Sequence, residues 1–552
     1  VPTELNPPSA SPVPAATRLP ALAALLALFL LLLLPNRLSW IEPTAFGFLP
    51  LELLVVGLAL LAPGRSGTLL RWVCAALLAV GLLCKVADLF AYQVFSRPFN
   101  PVFDLSLLAD ALRLLSGALG AFGAWLVALL MALLFGGILL LSMAVLTRVQ
   151  RGLQRERRLA LPGLLALLLL WGLLKVAGVS RVNHYFYDEL VLHAEATVNS
   201  MADLRQFRAT VDVDPYAKVP DGALLQGLRG KDVLVVFLES YGRVVFDDTR
   251  LASVVRPALE RAEQQLAVNG LAVRSGWLES PTIGGISWLA HGTLLSGLWI
   301  DSQTRYDSLM LSQRPTLNRL FKRAGWRTLA FMPAISMVWP EAAYFGYDQV
   351  YDAHNSGYAG LPFNWVTMPD QYVLSALQRF EREPSPRAPL MAEIAMISSH
   401  APWTPTPQLL PWAEVGDGSI FNAQTQAGPT PEEVWQSPQR IRTQYAQSIE
   451  YALNTLASFA INFGDDRLVL LVVGDHQPAP LVAGDLPNAH VPVHVIARDA
   501  AVIAAIADWQ WTPSLLPAAD APVWLMSDLR DRLLAAFSGC RPADESCGAS
   551  EP

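Results

Sequence analysis

The chain has 552 residues, more than one ordinary domain holds, and 53% of them are hydrophobic against 16% charged. That balance argues against a wholly soluble protein. A net charge of −7 with no long basic run gives no support to nucleic-acid binding.

The first third of the chain is apolar and the rest is not. Segments 19–35, 44–62, 69–92, 115–146 and 159–179 are each read as a transmembrane helix, which needs about 20 mostly apolar residues. A cleavable signal peptide is the rival reading of the first, but that run lacks a strongly basic start and a small-residue cleavage site. Glu52 interrupts the second segment, and Lys85 and Asp88 lie in the third, three residues apart, where they can pair on one helix face. Cys74 and Cys84 in the same segment read as small core residues.

Five arginines follow the fourth segment in RVQRGLQRERR, and Arg65 and Arg71 follow the second. The positive-inside rule places both loops in the cytoplasm, so everything beyond about residue 180 is expected on the far side. Between spans three and four, residues 95–117 read as an interfacial helix or a loop helix packed on the bundle.

Residues 181–228 form a polar, largely helical connector. A catalytic domain over 229–500 opens with the buried-strand pattern KDVLVVFLES. Further strands are expected at 326–332, 390–398, 467–473 and 491–497, with helices between them, as at 315–324 and 445–463. That alternation predicts an α/β domain with a mostly parallel sheet covered on both faces. Residues 404–440, rich in Pro, Gly, Gln and Thr, read as a long inserted loop. Residues 501–552 form a C-terminal helix and tail, in which Cys540 and Cys547 are expected to form a local disulfide in an oxidising compartment. A zinc site is the poorer reading there, because no further Cys or His is close by.

Ligands of open α/β sheets bind beyond the carboxyl ends of the strands. Glu239 ends the first strand, Asp475 and His476 follow the strand RLVLLVVG, and His400 follows the strand LMAEIAM. His490 starts the last predicted strand and His494 lies within it. A carboxylate and an Asp-His pair at strand ends can converge on one metal ion. Mixed oxygen and nitrogen donors suit Zn²⁺ or Mn²⁺ better than Ca²⁺ or Mg²⁺. Taken singly, an acid after a strand is usually a helix cap or turn residue and a histidine more often a satisfied structural side chain than a ligand, so the case rests on the set. In SPTIGGISWLAHGTLLSG, a glycine-bearing turn brings Ser287 to a helix N-terminus, where negative charge is favoured. A metal-bound hydroxyl there can attack phosphorus, and the bland reading is an N-cap.

The order FLES, SWLAHGTLLSG, SSHAPW, GDHQ and HVP resembles the alkaline phosphatase and sulfatase superfamily. It is most similar to the membrane-anchored branch of lipoteichoic acid synthases and phosphoglycerol and phosphoethanolamine transferases. The resemblance implies five transmembrane helices followed by an extracytoplasmic catalytic domain in a bacterial inner membrane. It implies Glu239, Asp475 and His476 as metal ligands and Ser287 as nucleophile and fourth ligand. It also implies His400 and His490 as substrate-binding residues, and one divalent ion, Mn or Zn, with Mg as a third choice; His291, which departs from the family's pattern, can bind substrate anions, serve as an acid or simply pack. The branch usually has a threonine nucleophile, so Thr282 is kept as the alternative to Ser287. Leu289 and His291 stand where formylglycine-dependent sulfatases need Pro and Arg, which argues against that modification. The implied reaction moves a phospholipid head group onto an extracytoplasmic glycan through a phosphoseryl enzyme. The alternatives are a phosphodiesterase or sulfatase-like hydrolase of the same fold, or a non-catalytic glycan- or partner-binding member.

Overall fold

The computed structural model describes residues 19–540 and 542, apart from 96, 106 and 485–487. The chain divides into two compact units, the first running to Asp203 and the second taking most of the chain from Leu204.

The first unit is built on five apolar helices: α1 (Leu19–Leu33), α2 (Leu51–Leu60), α3 (Gly64–Phe95), α4 (Leu107–Arg155) and α5 (Arg157–Val176). Each falls on one of the five segments read from the sequence. Among the described residues, three helical stretches (64–93 in α3, 122–155 in α4 and 157–176 in α5) are long and apolar enough to cross a membrane. At 15 and 10 residues, α1 and α2 are shorter than the span of about 20 that a bilayer requires. Within α4 the backbone leaves helical geometry at Gly120 (φ 71°, ψ 167°), so residues 107–119 make a helix of their own ahead of the apolar stretch that begins at 122, at the place where the sequence suggested an interfacial or loop helix. Leu28, Leu32, Leu60, Leu78, Leu82 and Leu146 make one core, while Phe122, Trp125, Leu140 and Val176 stand largely exposed. Apolar side chains turned outward along whole helices suit a lipid surround.

Lys85 and Asp88 do not pair with each other. Lys85 binds Glu189 and the Leu34 carbonyl, and Asp88 accepts from Asn36, His193 and the Phe99 amide. Glu52 accepts from the Tyr187 amide at 2.8 Å. Partners distant in sequence therefore satisfy each buried charge. A long helix, α6 (Tyr185–Thr210), follows the bundle.

The second unit contains an eight-stranded sheet: β1 (Asp232–Leu238), β2 (Ala272–Glu279), β3 (Arg327–Met332), β4 (Gln349–Asp352), β5 (Leu390–Met396), β6 (Leu468–Gly474), β7 (His490–Ala497) and β8 (Val523–Leu525). Its order is β8-β2-β7-β6-β1-β5-β3-β4. Every neighbouring pair is parallel except those of β7, which runs antiparallel to β2 and β6. Three strands were not anticipated: β2, β4 and β8. β4 and β8 are only 4 and 3 residues long, and β2 mixes Arg, Ser and Gly with its apolar residues, so none shows a clear apolar run.

All seven residues of β1 are buried, as expected of a strand covered on both faces. Leu234, Val236 and Leu238 enter one core, and Val233, Val235 and Phe237 enter the other. Helix α7 (Thr249–Val268) packs on the first face through Leu251, Val255, Leu259, Ala262 and Leu266, a helical spacing. A 26-residue helix, α10 in chain order after α8 (Ser287–Ser296) and α9 (Asp370–Leu377), covers the same face; it runs Pro438–Phe463.

The parallel strands β1, β2, β5 and β6 all end at one edge. Because β7 runs the other way, its first residue, His490, comes to that same edge. Gly474 closes β6 against Leu238, where an added Cβ would overlap the Tyr241 carbonyl oxygen and stand 3.0 Å from its carbon. Gly474→Ala is therefore expected to destabilise the second unit by about 1–3 kcal/mol. Chemical denaturation of the purified variant tests this, and an unchanged midpoint would refute it.

Candidate metal and nucleophile site

Four side chains delivered by three strand ends meet at the sheet edge. Glu239 follows β1, Asp475 and His476 follow β6, and the turn after β2 leads to Ser287 at the start of α8. Glu239, Asp475 and His476 are buried, and each offers a ligand atom within 4.8 Å of the others. The Ser287 hydroxyl lies 3.1 Å from Glu239 Oε2 and 3.2 Å from His476 Nε2. His476 Nε2 is 3.5 Å from Glu239 Oε1 and 3.7 Å from Asp475 Oδ2.

The backbone holds this arrangement. The Glu239 amide donates to the Met396 carbonyl at 3.0 Å, which ties the end of β1 to β5. Asp475 Oδ1 accepts from the amides of Ser240 and His476 at 2.8 and 2.7 Å. The Ser240 hydroxyl donates to Glu239 Oε1 at 2.7 Å. Tyr445 of α10 donates to the Ser240 carbonyl, and Ser399 to the Glu239 carbonyl. Ser240 and Ile286 both adopt left-handed backbone, with φ of 56° and 62°. A β-branched residue rarely adopts that region, so the turn into Ser287 is held there by its surroundings. The Gly284 amide donates to the Gln477 carbonyl at 2.8 Å and anchors the turn to the Asp-His strand.

Protonation follows from the same contacts. His476 Nδ1 lies 2.9 Å from the Gln477 carbonyl and must donate to it, which leaves Nε2 with a lone pair. Ser287 then has one proton and faces two acceptors. Burial pushes the Glu239 carboxyl up, but His476, His400 and the Ser240 hydroxyl outweigh it and hold the group down to about 2. Burial and the Glu239 charge push Asp475 up to about 6. Burial opposes the His476 cation, yet the two carboxylates outweigh burial and raise it. With His476 neutral, its Nε2 lone pair, the two carboxylates and the Ser287 oxygen face one another, an arrangement that a cation among them would relieve.

A divalent ion fits that need. Zinc ligands at about 2.0–2.2 Å in tetrahedral array stand roughly 3.3–3.6 Å apart. The Ser287–Glu239, Ser287–His476, His476–Glu239 and His476–Asp475 separations, 3.1 to 3.7 Å, lie near that value, and the three acidic and imidazole ligand atoms all fall within 4.8 Å of one another. Glu239, Asp475 and His476 could hold such an ion, with Ser287 Oγ beside them.

The remaining sequence candidates are distributed around these four. Thr282 donates its hydroxyl to the Gly285 carbonyl at 2.8 Å, inside the turn, and makes no hydrogen bond to the acidic pair or to His476. His400 is exposed, with Nδ1 engaged by the Ala401 carbonyl, and it acts on Glu239 through its charge. His291, one turn into α8, pairs with Glu393 of β5 at 2.6 Å and stacks on Phe237 at 3.7 Å. His490 contacts Arg243 at 3.4 Å, and burial together with that guanidinium holds it below the usual histidine range. His494 is buried between Ser275 and Tyr241, where burial pushes it down to about 3, so it stays neutral. Cys540 is disulfide-bonded, and Cys547, its expected partner, lies outside the described residues.

Sequence reading missed Ser240, Glu393 and Tyr445. Glu393 carried a signal, an acid in the middle of the apolar strand LMAEIAM. The Ser240 and Tyr445 contacts span 235 and 205 residues of separation and have no local signature.

No protein-family model and no curated protein matches the chain. Among solved structures, the lipoteichoic acid synthase LtaP from Listeria monocytogenes is similar at 13% identity, over 62% of this chain and 79% of that one, with a TM-score of 0.40. The Streptococcus pyogenes phosphoglycerol transferase GacH, in complex with sn-glycerol-1-phosphate, matches at 14% identity over 62% and 83%, with a TM-score of 0.37. The C-terminal periplasmic domain of EcEptC from Escherichia coli matches at 14% identity over 56% and 82%, with a TM-score of 0.36. Likenesses this low carry no weight for the chemistry, which is read from the geometry of the site itself.

The raised Asp475 has a consequence for stability. A carboxyl whose folded pKa lies above its unfolded value costs stability once pH passes the unfolded value, and the full cost is present above about 6. In chelator at pH 7.5, Asp475→Asn is expected to be more stable than the wild type by roughly 1–3 kcal/mol. The difference should vanish near pH 4, and bound metal should be lost at any pH. Thermal unfolding across that range decides it; a variant less stable at pH 7.5 would overturn the electrostatic account.

Proposed function

We propose that this chain is a membrane-anchored, metal-dependent phosphotransferase of the alkaline phosphatase and sulfatase superfamily, working on the extracytoplasmic side of a bacterial inner membrane. The observation that carries it is the convergence of Ser287 with Glu239, Asp475 and His476. The apolar helices supply the anchor, and the disulfide at Cys540 fits an oxidising compartment. The five arginines from Arg148 to Arg158, at the end of α4 and the start of α5, fit a cytoplasmic side.

Glu239, Asp475, His476 and Ser287 Oγ would hold Mn²⁺ or Zn²⁺. Such an ion lowers the pKa of the serine hydroxyl and takes up charge on phosphoryl oxygens. Ser287 Oγ gives up its proton to solvent and attacks the phosphorus of a phospholipid head-group diester, and the bond from phosphorus to the diacylglycerol oxygen breaks. His400, with Nδ1 committed to a carbonyl, has Nε2 left to hand a proton to that oxygen. The charged Arg243 can only donate to His490 Nδ1, so His490 carries its proton on Nε2 and can hold a phosphoryl oxygen. An acceptor hydroxyl, of a glycan in this reading, then returns a proton to His400 and attacks the phosphoserine; the bond from phosphorus to Ser287 Oγ breaks, and a proton from solvent restores the hydroxyl. His291 positions α8 through Glu393 and Phe237.

The test measures bound metal and release of labelled diacylglycerol from phospholipid in detergent. The wild type is expected to carry stoichiometric Mn or Zn. Ser287→Ala should fall about a thousandfold or more in release, and Thr282→Ala should retain most of it. Release that survives Ser287→Ala would remove the nucleophile from this scheme, and free head-group phosphate without acceptor would favour a hydrolase.

A further inference from the structure

Helix α10 braces the site and also walls a groove that the proposed chemistry does not use. Tyr445 fastens the Glu239 turn, and the adjacent Gln444 lines a cavity of about 510 Å³. This cavity lies between α10 and the loop residues 404–409 and 427–429. A second cavity of about 420 Å³ shares Gln444 and Pro429 with the first and reaches Gln439 and Arg440. Gln439 and Asn454, at the two ends, stand about 22 Å apart along the helix at about 1.5 Å per residue. Each cavity is within the usual size of a ligand site.

The lining selects its ligand by chemistry. The carboxamides of Gln408, Gln444, Gln447 and Asn454 make no hydrogen bond with any described residue. Each can both donate and accept, as a sugar hydroxyl can. Between them lie Pro407, Leu409, Ala427 and Pro429, apolar patches suited to the C–H face of a sugar ring. The charged groups are engaged elsewhere: Glu450 pairs with Arg261 at 3.1 Å, and Arg440 donates to the Glu433 carbonyl at 3.0 Å. An anionic chain would find few free cations here, and an apolar chain would leave the amides unpaired. A peptide strand would need a sheet edge, which the groove lacks.

The walls are preformed. Thr404 donates to the Pro429 carbonyl at 2.6 Å and joins the two loops. Beside Val434, which lines the second cavity, Trp435 is 47% exposed and stacks on the buried Trp403 at 5.8 Å. Trp403 follows His400 by three residues and donates to the Ser399 carbonyl, so the groove is built on the segment that carries His400.

We infer that this groove binds an uncharged oligosaccharide. Its role as the acceptor rests on the function proposed above, whereas the binding does not. The test uses the full chain in nanodiscs, since sugar-headed detergents would compete, with laminarihexaose and maltohexaose as probes. Calorimetric titration is expected to show saturable binding of at least one hexasaccharide, unchanged in Ser287→Ala. Gln444→Leu with Asn454→Leu should weaken it about tenfold or more, with an unchanged thermal midpoint. If that pair fails to fold, Gln447→Ala, at an exposed position, should still weaken binding about threefold. No saturable binding of either sugar, or full binding by the folded variants, would overturn the inference. Binding without any diacylglycerol release would sink the proposed function and leave the groove standing.

Discussion

Two carboxylates, Glu239 and Asp475, are buried side by side, and much of the second unit is arranged around that constraint. Both lie out of water, and carrying both charges there costs stability unless a cation sits between them. The backbone nevertheless holds them in place, through the Ser240 and His476 amides on Asp475 and through the pairing of β1 with β5 and β6. A structure that keeps this repulsion instead of relaxing it is poised for a positive charge. The orientation of His476, with its lone pair turned inward, completes the same demand.

The strain around Ser287 has the same character. Ser240 and Ile286 sit in backbone regions that cost of order 1–3 kcal/mol each, and both flank members of the site. The tie from Gly284 to Gln477 and the Tyr445 hydroxyl on Ser240 over-determine those turns. The reward is placement: the serine hydroxyl lies almost equally far from Glu239 and His476. Rigid strands and a tied turn set that geometry more tightly than a free loop would.

Within the helical unit, buried polarity is treated differently. Lys85 and Asp88 are 2% and 1% exposed, yet each finds partners on other segments, and Asp88 accepts three hydrogen bonds. Here Lys85 and Asp88 each meet partners of opposite charge or hydrogen-bonding groups and serve to fix helix packing. The contrast with the Glu239 cluster is instructive, because a satisfied network and a frustrated one are both buried, and only the second asks for a ligand.

From residues alone, the apolar segments, the strand ends bearing Glu239 and the Asp475–His476 pair, and the serine turn were all legible. Hydrophobic runs and turn chemistry are local properties and leave local marks. The bland strands β2, β4 and β8 were not legible, nor was the antiparallel β7 that brings His490 to the common edge. Pairing direction depends on connections that span the domain. The partners of Lys85 and the locking of His291 by Glu393 were likewise set by contacts between distant segments. Sequence determined which chemical groups the chain owns and near which strand ends they lie. Tertiary structure decided which of them meet, because hydrogen bonds and electrostatic repulsion act over a few ångströms of space, whatever the distance along the chain.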